Sequence, residues 1–426
     1  MTNLAPSVRL PAGARVVVGR VQQMSLFQKG TLWTALVSLL FSANGSIGTP
    51  VQGFAVGLLG ILAVQCVLTG RAKLTTFSIY DMVLGLMILM SLIVATQADN
   101  PIALVSVCAL AICYMACLVL ARSFSLHEIL QVSALAFAGM AFLIAAFYPS
   151  DLLTTLTPSA AKRWTLRVGP FGLHPNLIGY MFGGGAICSI YALIRSRGLW
   201  FVAYLISTVI CLMLPLAASS RAALLALVAS AAVMFVPAVR GLSRFWKRAV
   251  LGAALLAFVL IVLKLGTIVA YLDEVLELSS KTRGLGTGGT GRVDLWKDGI
   301  DLILGGSLQS LFGYGFRGSG PEVIGFQTES SYITILLESG LVLGTIYLVL
   351  VFRMTAVTVV RSWAAGTRVS QTETFVGWLL VYAVLESVFN RYLLAVGNTM
   401  SLFLFLLLLK LSLSHARGSG GMARQR

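Results

Sequence analysis

The chain has 426 residues, of which 58% are hydrophobic and 11% are charged, and its formal net charge is +16. A soluble domain carries about 25% charged residues, so this chain has too little polar surface to cover a water-exposed globule, and most of its exterior must face lipid. The basic residues stand in short clusters between apolar segments, as membrane topology uses Lys and Arg. Composition therefore excludes an ordinary soluble domain and argues against nucleic-acid binding.

A membrane-spanning helix needs roughly 20 mainly apolar residues, and this requirement predicts an all-α polytopic membrane protein with a single membrane domain over residues 1–426. About twelve segments meet it: 30–46, 51–69, 77–96, 101–121, 127–148, 175–194, 199–216, 221–238, 249–270, 331–352, 372–389 and 392–411. The first is the weakest, because Asn44, Gly45 and Ser46 interrupt it.

One long polar segment, residues 272–330, separates the ninth and tenth predicted helices. With the N-terminus placed in the cytoplasm, most of the 31 Lys and Arg residues fall on the inner side, and most acidic residues fall outside. The positive-inside rule then makes both termini cytoplasmic and segment 272–330 an external loop. The tail, residues 412–426, is expected to be a disordered cytoplasmic segment.

Cations stand at two places on the predicted outer side, where cations are normally depleted. Arg163 and Arg167 lie in the first, shortly before His174. Arg221 opens the eighth predicted helix, where its charge adds to the positive end of the helix dipole and favours a bound phosphate. Both suggest an anionic ligand on this face. Solvated loop charges would also explain the first cluster, and a snorkelling side chain would also explain Arg221.

The long loop holds a Gly-rich, basic stretch over residues 281–292 that ends at Arg292 and can approach a ligand closely. The segment after it predicts an amphipathic helix lying against the membrane surface or the bundle. Its apolar face consists of Val293, Trp296, Ile300, Ile303 and Leu304. The opposite face carries Asp294, Lys297, Asp298 and Asp301, and we interpret these carboxylates as a solvated helical face rather than a metal site.

Three carboxylates lie close to the outer ends of predicted helices. Glu329 precedes the tenth helix, Glu338 lies about two turns inside it, and Glu386 lies near the outer end of the eleventh. A carboxylate within the membrane needs a partner or a proton. Arg221 and Arg292 are candidate partners for Glu338, and Arg391 stands beside Glu386 in the sequence.

These residues, in this order and on one side, resemble the O-antigen ligase and Wzy-type polymerase superfamily of bacterial inner-membrane glycosyltransferases. The resemblance runs from about Arg163 to the eleventh helix. Its motifs include Gly169 to Asn176, Ser220-Arg221, Gly291-Arg292 with Trp296, Gly313-Tyr314-Gly315-Phe316, Glu329-Ser330-Ser331-Tyr332 and Leu337-Glu338-Ser339-Gly340. It implies transfer of a glycan from a polyprenyl-diphosphate carrier to a sugar hydroxyl, without a metal, another cofactor or a nucleotide sugar.

The chain departs from the family at one position. Ligases of the family carry a His-Asn pair just before the Tyr that opens the tenth helix, whereas this chain has Glu329-Ser330-Ser331 before Tyr332. The departure favours an exopolysaccharide or O-antigen polymerase over a ligase to lipid A-core. It also makes Glu329 our candidate general base, with His174 and Glu338 as alternatives.

Arg side chains bind phosphate through paired hydrogen bonds, so Arg163, Arg167, Arg221, Arg292 and Arg317 are our candidates for holding the diphosphate. Expected partners are the lipid-linked oligosaccharide donor, the glycan acceptor, the bilayer, and chain-length regulator and export proteins. A twelve-helix transporter is the rival class, but such proteins are built from paired halves, and we find no such duplication in the sequence.

Overall fold

The computed structural model describes residues 23–44, 46–72, 77–97, 101–154, 169–276, 292–364 and 370–423. All regular elements in these ranges are helical. In chain order they are α1 (Leu26–Ser38), α2 (Gly48–Leu68), α3 (Ile79–Gln97), α4 (Pro101–Ser123), α5 (Leu126–Phe147), α6 (Pro149–Thr154), α7 (Pro175–Leu193), α8 (Leu199–Ala217), α9 (Arg221–Arg240), α10 (Arg244–Leu276), α11 (Arg292–Leu304), α12 (Leu308–Phe312), α13 (Pro321–Ile324), α14 (Ser331–Ala364), α15 (Gln371–Glu386) and α16 (Thr399–Ala423), with short 3₁₀ turns at Leu39–Phe41 and Pro170–Gly172.

Among the described residues, 8 helices are long and apolar enough to cross a membrane: α2, α3, α4, α5, α7, α8, α9 and α14. Shorter apolar helical stretches are Leu26–Phe41, Val262–Tyr271 and Thr399–Leu413. The structure therefore confirms an all-α polytopic membrane protein. It does not confirm the predicted count of twelve spans.

The differences from the predicted spans have local causes. In α10, the backbone leaves helical geometry at Lys264, inside the predicted span 249–270. Helix α15 ends at Glu386 and α16 begins at Thr399, so residues 387–398 are an irregular segment where the twelfth span was expected to begin. Helix α16 continues to Ala423, so residues 412–423, expected to be disordered, are helical.

Helix α7 lies at the centre of the bundle, as shown by the burial of 89% of its most apolar stretch. Its glycines allow this close packing. A Cβ at Gly183 would overlap the hydroxyl group of Tyr382, and a Cβ at Gly185 would stand 2.9 Å from the ring of Phe137. Small residues on one helix let neighbouring helices approach closely in a membrane, so the glycine pattern of α7 makes it the helix that the others surround.

The helices alternate in direction, and one end of the bundle therefore collects several chain segments. Helices α7, α9 and α14 begin at this end, and α8 and α15 finish there. Two hydrogen bonds join these helix ends. The hydroxyl group of Tyr382 on α15 donates to the carbonyl of Gly179 on α7 at 2.9 Å. The amide of Ser331, at the start of α14, donates to the carbonyl of Ser387, just after α15, at 2.9 Å. We call this end, with α11 to α13, the site end.

Helix α11 packs on the bundle through part of its predicted apolar face. Ile303 is buried against Ile333 and Leu337 of α14, with Trp296 packed beside them. Val293, Ile300 and Leu304 belong to the same predicted face but remain exposed. The structure therefore places this helix against the bundle and leaves an apolar edge of it uncovered.

Candidate functional site

A break in α14 creates the first part of the site. Gly340 has φ of 76° and ψ of 165°, which are not helical values, and the break frees the carbonyls that precede it. The amides of Tyr314 and Gly315 donate to the carbonyls of Leu337 and Glu338 at 2.8 and 2.9 Å. Gly313 also has a positive φ, and a Cβ on it would overlap the backbone of Glu338 and Gly340. Residues with side chains do not fit there, which explains the spacing of the motif Phe312-Gly313-Tyr314-Gly315.

Glu338 points into the loop that fills this break. Its Oε1 accepts a hydrogen bond from the backbone amide of Arg317 at 2.9 Å and lies 3.5 Å from the hydroxyl group of Ser319. These contacts correct our expectation that Arg221 or Arg292 pairs with Glu338. The guanidinium of Arg317 is exposed, and Arg317 meets Glu338 through its main chain. Glu338 therefore holds the 312–319 loop to α14.

Arg292 and Glu329 form an ion pair at the site end. The Nη2 of Arg292 lies 3.7 Å from Oε2 of Glu329, and their side chains are 21% and 30% exposed. Arg292 is the first residue of α11, and Glu329 precedes α14. Packing of α11 on the start of α14 therefore brings together two residues that are far apart in sequence. Both remain accessible to a ligand.

His174 caps α7 beside this pair. Its Nδ1 accepts a hydrogen bond from the amide of Asn176 at 3.2 Å, and Pro175 occupies the first helical position, where its missing N–H costs nothing. Partial removal from water lowers the pKa of His174; the charge of Glu329 opposes this shift, and those of Arg292 and Arg391 reinforce it. A neutral ring that accepts at Nδ1 carries its proton on Nε2, so the Nε2–H group of His174 can donate a hydrogen bond.

Arg391 is a cation at this site that our prediction did not include. It belongs to the irregular segment 387–398, and with the amide of Gln327 oriented so that its oxygen faces the guanidinium, that oxygen accepts from both terminal nitrogens of Arg391. Ser331 fixes this segment to the start of α14. Its hydroxyl group donates to the carbonyl of Asn390 at 2.6 Å and accepts from the amide of Leu393 at 3.1 Å.

A buried carboxylate lies beneath these groups. Glu386 is fully buried, and neither of its oxygens has a hydrogen-bond partner among the described residues. The charge of Arg292 acts on this carboxylate. Above it, Tyr392 stacks on Tyr180 with ring centroids 5.9 Å apart, and burial raises the pKa of Tyr392 to about 12.

The structure thus brings some predicted residues together and leaves others apart. We call Arg292, Glu329, His174, Gln327 and Arg391 the guanidinium cluster. Arg221 begins α9 at the same end of the bundle, next to Ser220, whose side chain packs against Gly179 of α7. Glu338 and Arg317 form the neighbouring loop contact. Arg163 and Arg167 lie outside the described residues.

The cluster combines three chemical capacities. Guanidinium groups bind phosphate oxygens and stabilise negative charge that develops on a leaving group. A carboxylate beside them can accept a proton from a hydroxyl group. The neutral imidazole can donate a hydrogen bond. Such a set suits transfer of a group from an anionic leaving group to a hydroxyl acceptor.

The O-antigen ligase family model matches residues 206–348. The resemblance inferred from the sequence is confirmed over this segment. The matched segment runs from α8 into α14 and includes Arg221, Arg292, Arg317, Glu329 and Glu338. His174, Glu386 and Arg391 lie outside it. No curated protein matches the chain.

This match makes the segment similar to glycan enzymes of the O-antigen ligase and polymerase type. The match is equally compatible with a polymerase and a ligase. It also agrees with the architecture, because the described part of the chain has several helices long and apolar enough to cross a membrane.

Proposed function

We propose that the chain is a metal-independent glycosyltransferase that polymerises glycan repeat units. Its donor is a glycan on a polyprenyl-diphosphate carrier, its acceptor is a sugar hydroxyl, and it works at the periplasmic face of the bacterial inner membrane. The observation that carries this proposal is the accessible Arg292–Glu329 ion pair at 3.7 Å. This pair places a phosphate-binding cation directly beside a proton acceptor.

The reaction follows from these roles. The acceptor oxygen bonds to the anomeric carbon of the donor glycan, and the bond from that carbon to the diphosphate oxygen breaks. The polyprenyl diphosphate leaves with the electron pair, and Arg292 and Arg221 stabilise its growing charge. Glu329 takes the proton of the acceptor hydroxyl group.

The residues before Tyr332 support a polymerase. Glu329 stands where ligases of the family carry their His, and it already contacts a guanidinium of the proposed donor site. Ligation to lipid A-core is the second candidate, supported by the family match at residues 206–348.

The proposal is tested with the purified protein in lipid nanodiscs and a diphosphate-linked oligosaccharide repeat unit. Polymerase activity yields a ladder of products that remain on the lipid carrier. Transfer of single glycans to added lipid A-core, with no ladder, would instead establish the ligase. Lack of reaction with both acceptors, from protein that remains folded, would refute glycosyl transfer.

A further inference from the structure

Arg391 combines an accessible side chain with a fixed backbone, as ligand-binding residues do. It is exposed, yet the segment that carries it is tied to α14 at three points. These are the Ser331 amide on Ser387 and the two bonds of the Ser331 hydroxyl group to Asn390 and Leu393. The backbone of Arg391 is thus held against α14, while its guanidinium remains accessible.

Arg292 and Arg391 are held by acceptors from the same short segment. Glu329 holds Arg292, and Gln327 holds Arg391. Residues two apart in a chain have Cα atoms separated by roughly 7 Å at most. One cation lies on α11 and the other in segment 387–398, and both contact acceptors that are two residues apart in the chain.

Electrostatic evidence supports the same proximity. The charges of Arg292 and Arg391 both act on His174, and both also act on Tyr392. The two guanidinium groups therefore share a small area at the site end, in which Glu329 is the carboxylate paired with a guanidinium.

The present partner of Arg391 is a weaker acceptor than a phosphate, and the present ion pair of Arg292 is partly exposed. Gln327 offers a neutral amide oxygen, and hydrogen bonds between two ionised groups are stronger than bonds to a neutral one. Glu329 offers one carboxylate in a partly exposed ion pair, which is a weak interaction. A diphosphate presents two linked phosphate groups, one for each guanidinium.

We propose that Arg391 is a second diphosphate-binding residue beside Arg292, and that the donor displaces the side-chain oxygens of Gln327 and Glu329 from the two guanidinium groups. This inference rests on the proposed function, because it assigns a further residue to the same donor site. It adds an order of events: diphosphate binding releases Glu329 from Arg292, and the free carboxylate then takes the proton of the acceptor. Donor binding thereby prepares the base.

The test compares three variants of the full chain in nanodiscs: Arg391→Gln, Gln327→Ala and, as a matched control, Lys297→Gln. Lys297 is an exposed cation on α11, so its variant loses the same charge from the same end of the protein. We measure the donor KM and kcat, and independently the affinity for farnesyl diphosphate. Thermal unfolding shows whether each variant is folded.

Arg391→Gln should raise KM and weaken farnesyl diphosphate binding by about 10- to 100-fold, as expected for loss of a hydrogen-bonded charge. Its kcat should change much less. Gln327→Ala should bind farnesyl diphosphate several-fold more tightly, because a competing acceptor is gone. Lys297→Gln should resemble the wild type.

Wild-type affinity in Arg391→Gln, or an equal loss in Lys297→Gln, would overturn the assignment of Arg391. Unchanged or weaker binding in Gln327→Ala would overturn the displacement. These results differ from failure of the proposed function, in which the wild-type protein itself neither elongates the glycan nor binds farnesyl diphosphate. If Arg391→Gln does not fold, Arg391→Lys takes its place, since it keeps the charge and loses the planar fork.

Discussion

Replacing Glu329 with Gln tests two proposed roles of this residue, as the proton acceptor and as the partner of Arg292. The substitution preserves the size of the side chain and its capacity for hydrogen bonds. It removes the proton acceptor, and it removes the negative charge that pairs with Arg292 at 3.7 Å. The first loss should lower kcat, and the second should lower the donor KM.

The expected effects on kcat and on the donor KM differ widely in size. Loss of a general base costs about 10²–10⁴ in rate. The ion pair is partly exposed, at 21% and 30% of the two side chains, and such pairs contribute roughly 0.2–1 kcal/mol. Release of Arg292 should therefore lower the donor KM by at most about fivefold. The expected variant binds its donor slightly better and turns it over far more slowly.

The assay measures polymer formed at several donor concentrations by equal amounts of purified protein. Asp298→Asn is the matched control, because Asp298 is an exposed carboxylate on α11 at the same end. Glu329→His should recover part of the lost turnover, since it restores the residue type of the family's ligases. A wild-type kcat in Glu329→Gln would refute the base assignment and direct attention to His174 or Glu338.

Four further outcomes are expected. Arg292→Lys should be expressed normally and lose most transfer, because Lys lacks the planar fork; normal product from it would remove Arg292 from the donor site. Transfer should continue in EDTA, and activity that disappears and returns with Mg²⁺ would contradict a metal-independent reaction. Gly313→Ala should lower the melting temperature much more than Gly306→Ala does. Both positions have positive φ, but only a Cβ at Gly313 meets backbone atoms within 3 Å. Equal effects would show that backbone strain alone matters. In intact spheroplasts, an impermeant thiol reagent should label Val323→Cys and not Arg244→Cys, and the reverse result would invert the topology.

Local composition was sufficient to predict the class of fold. Long apolar segments must satisfy their backbone groups internally in lipid, and helices do so. The same reasoning located α11 and the starts of α7, α9 and α14 to within a few residues. Its count of twelve spans is not confirmed, and two of the predicted spans contain interruptions within apolar sequence: the helical break at Lys264 and the irregular residues 387–398. Hydropathy averages across such interruptions.

The candidate site was predictable only in part. Unexpected cations and carboxylates on the predicted outer side indicated Arg221, Arg292 and Glu329, because charges near a membrane are costly and usually functional. Sequence could not assign their partners. Glu338 was expected to need a partner or a proton, with Arg221 and Arg292 as candidate partners, and it accepts the backbone amide of Arg317, which a break at Gly340 makes possible.

What the sequence by itself determined is the membrane architecture, the family resemblance and the residue types of the site, since these depend on composition and on short motifs. The tertiary structure decided which of those residues meet. Arg391 shares a site with Arg292 only because Ser331 ties segment 387–398 to the start of α14, while Ile303 packs α11 on the same helix. Contacts between residues about 60 to 100 positions apart depend on how the helices pack, and helix packing is set by the whole bundle rather than by any local stretch of chain.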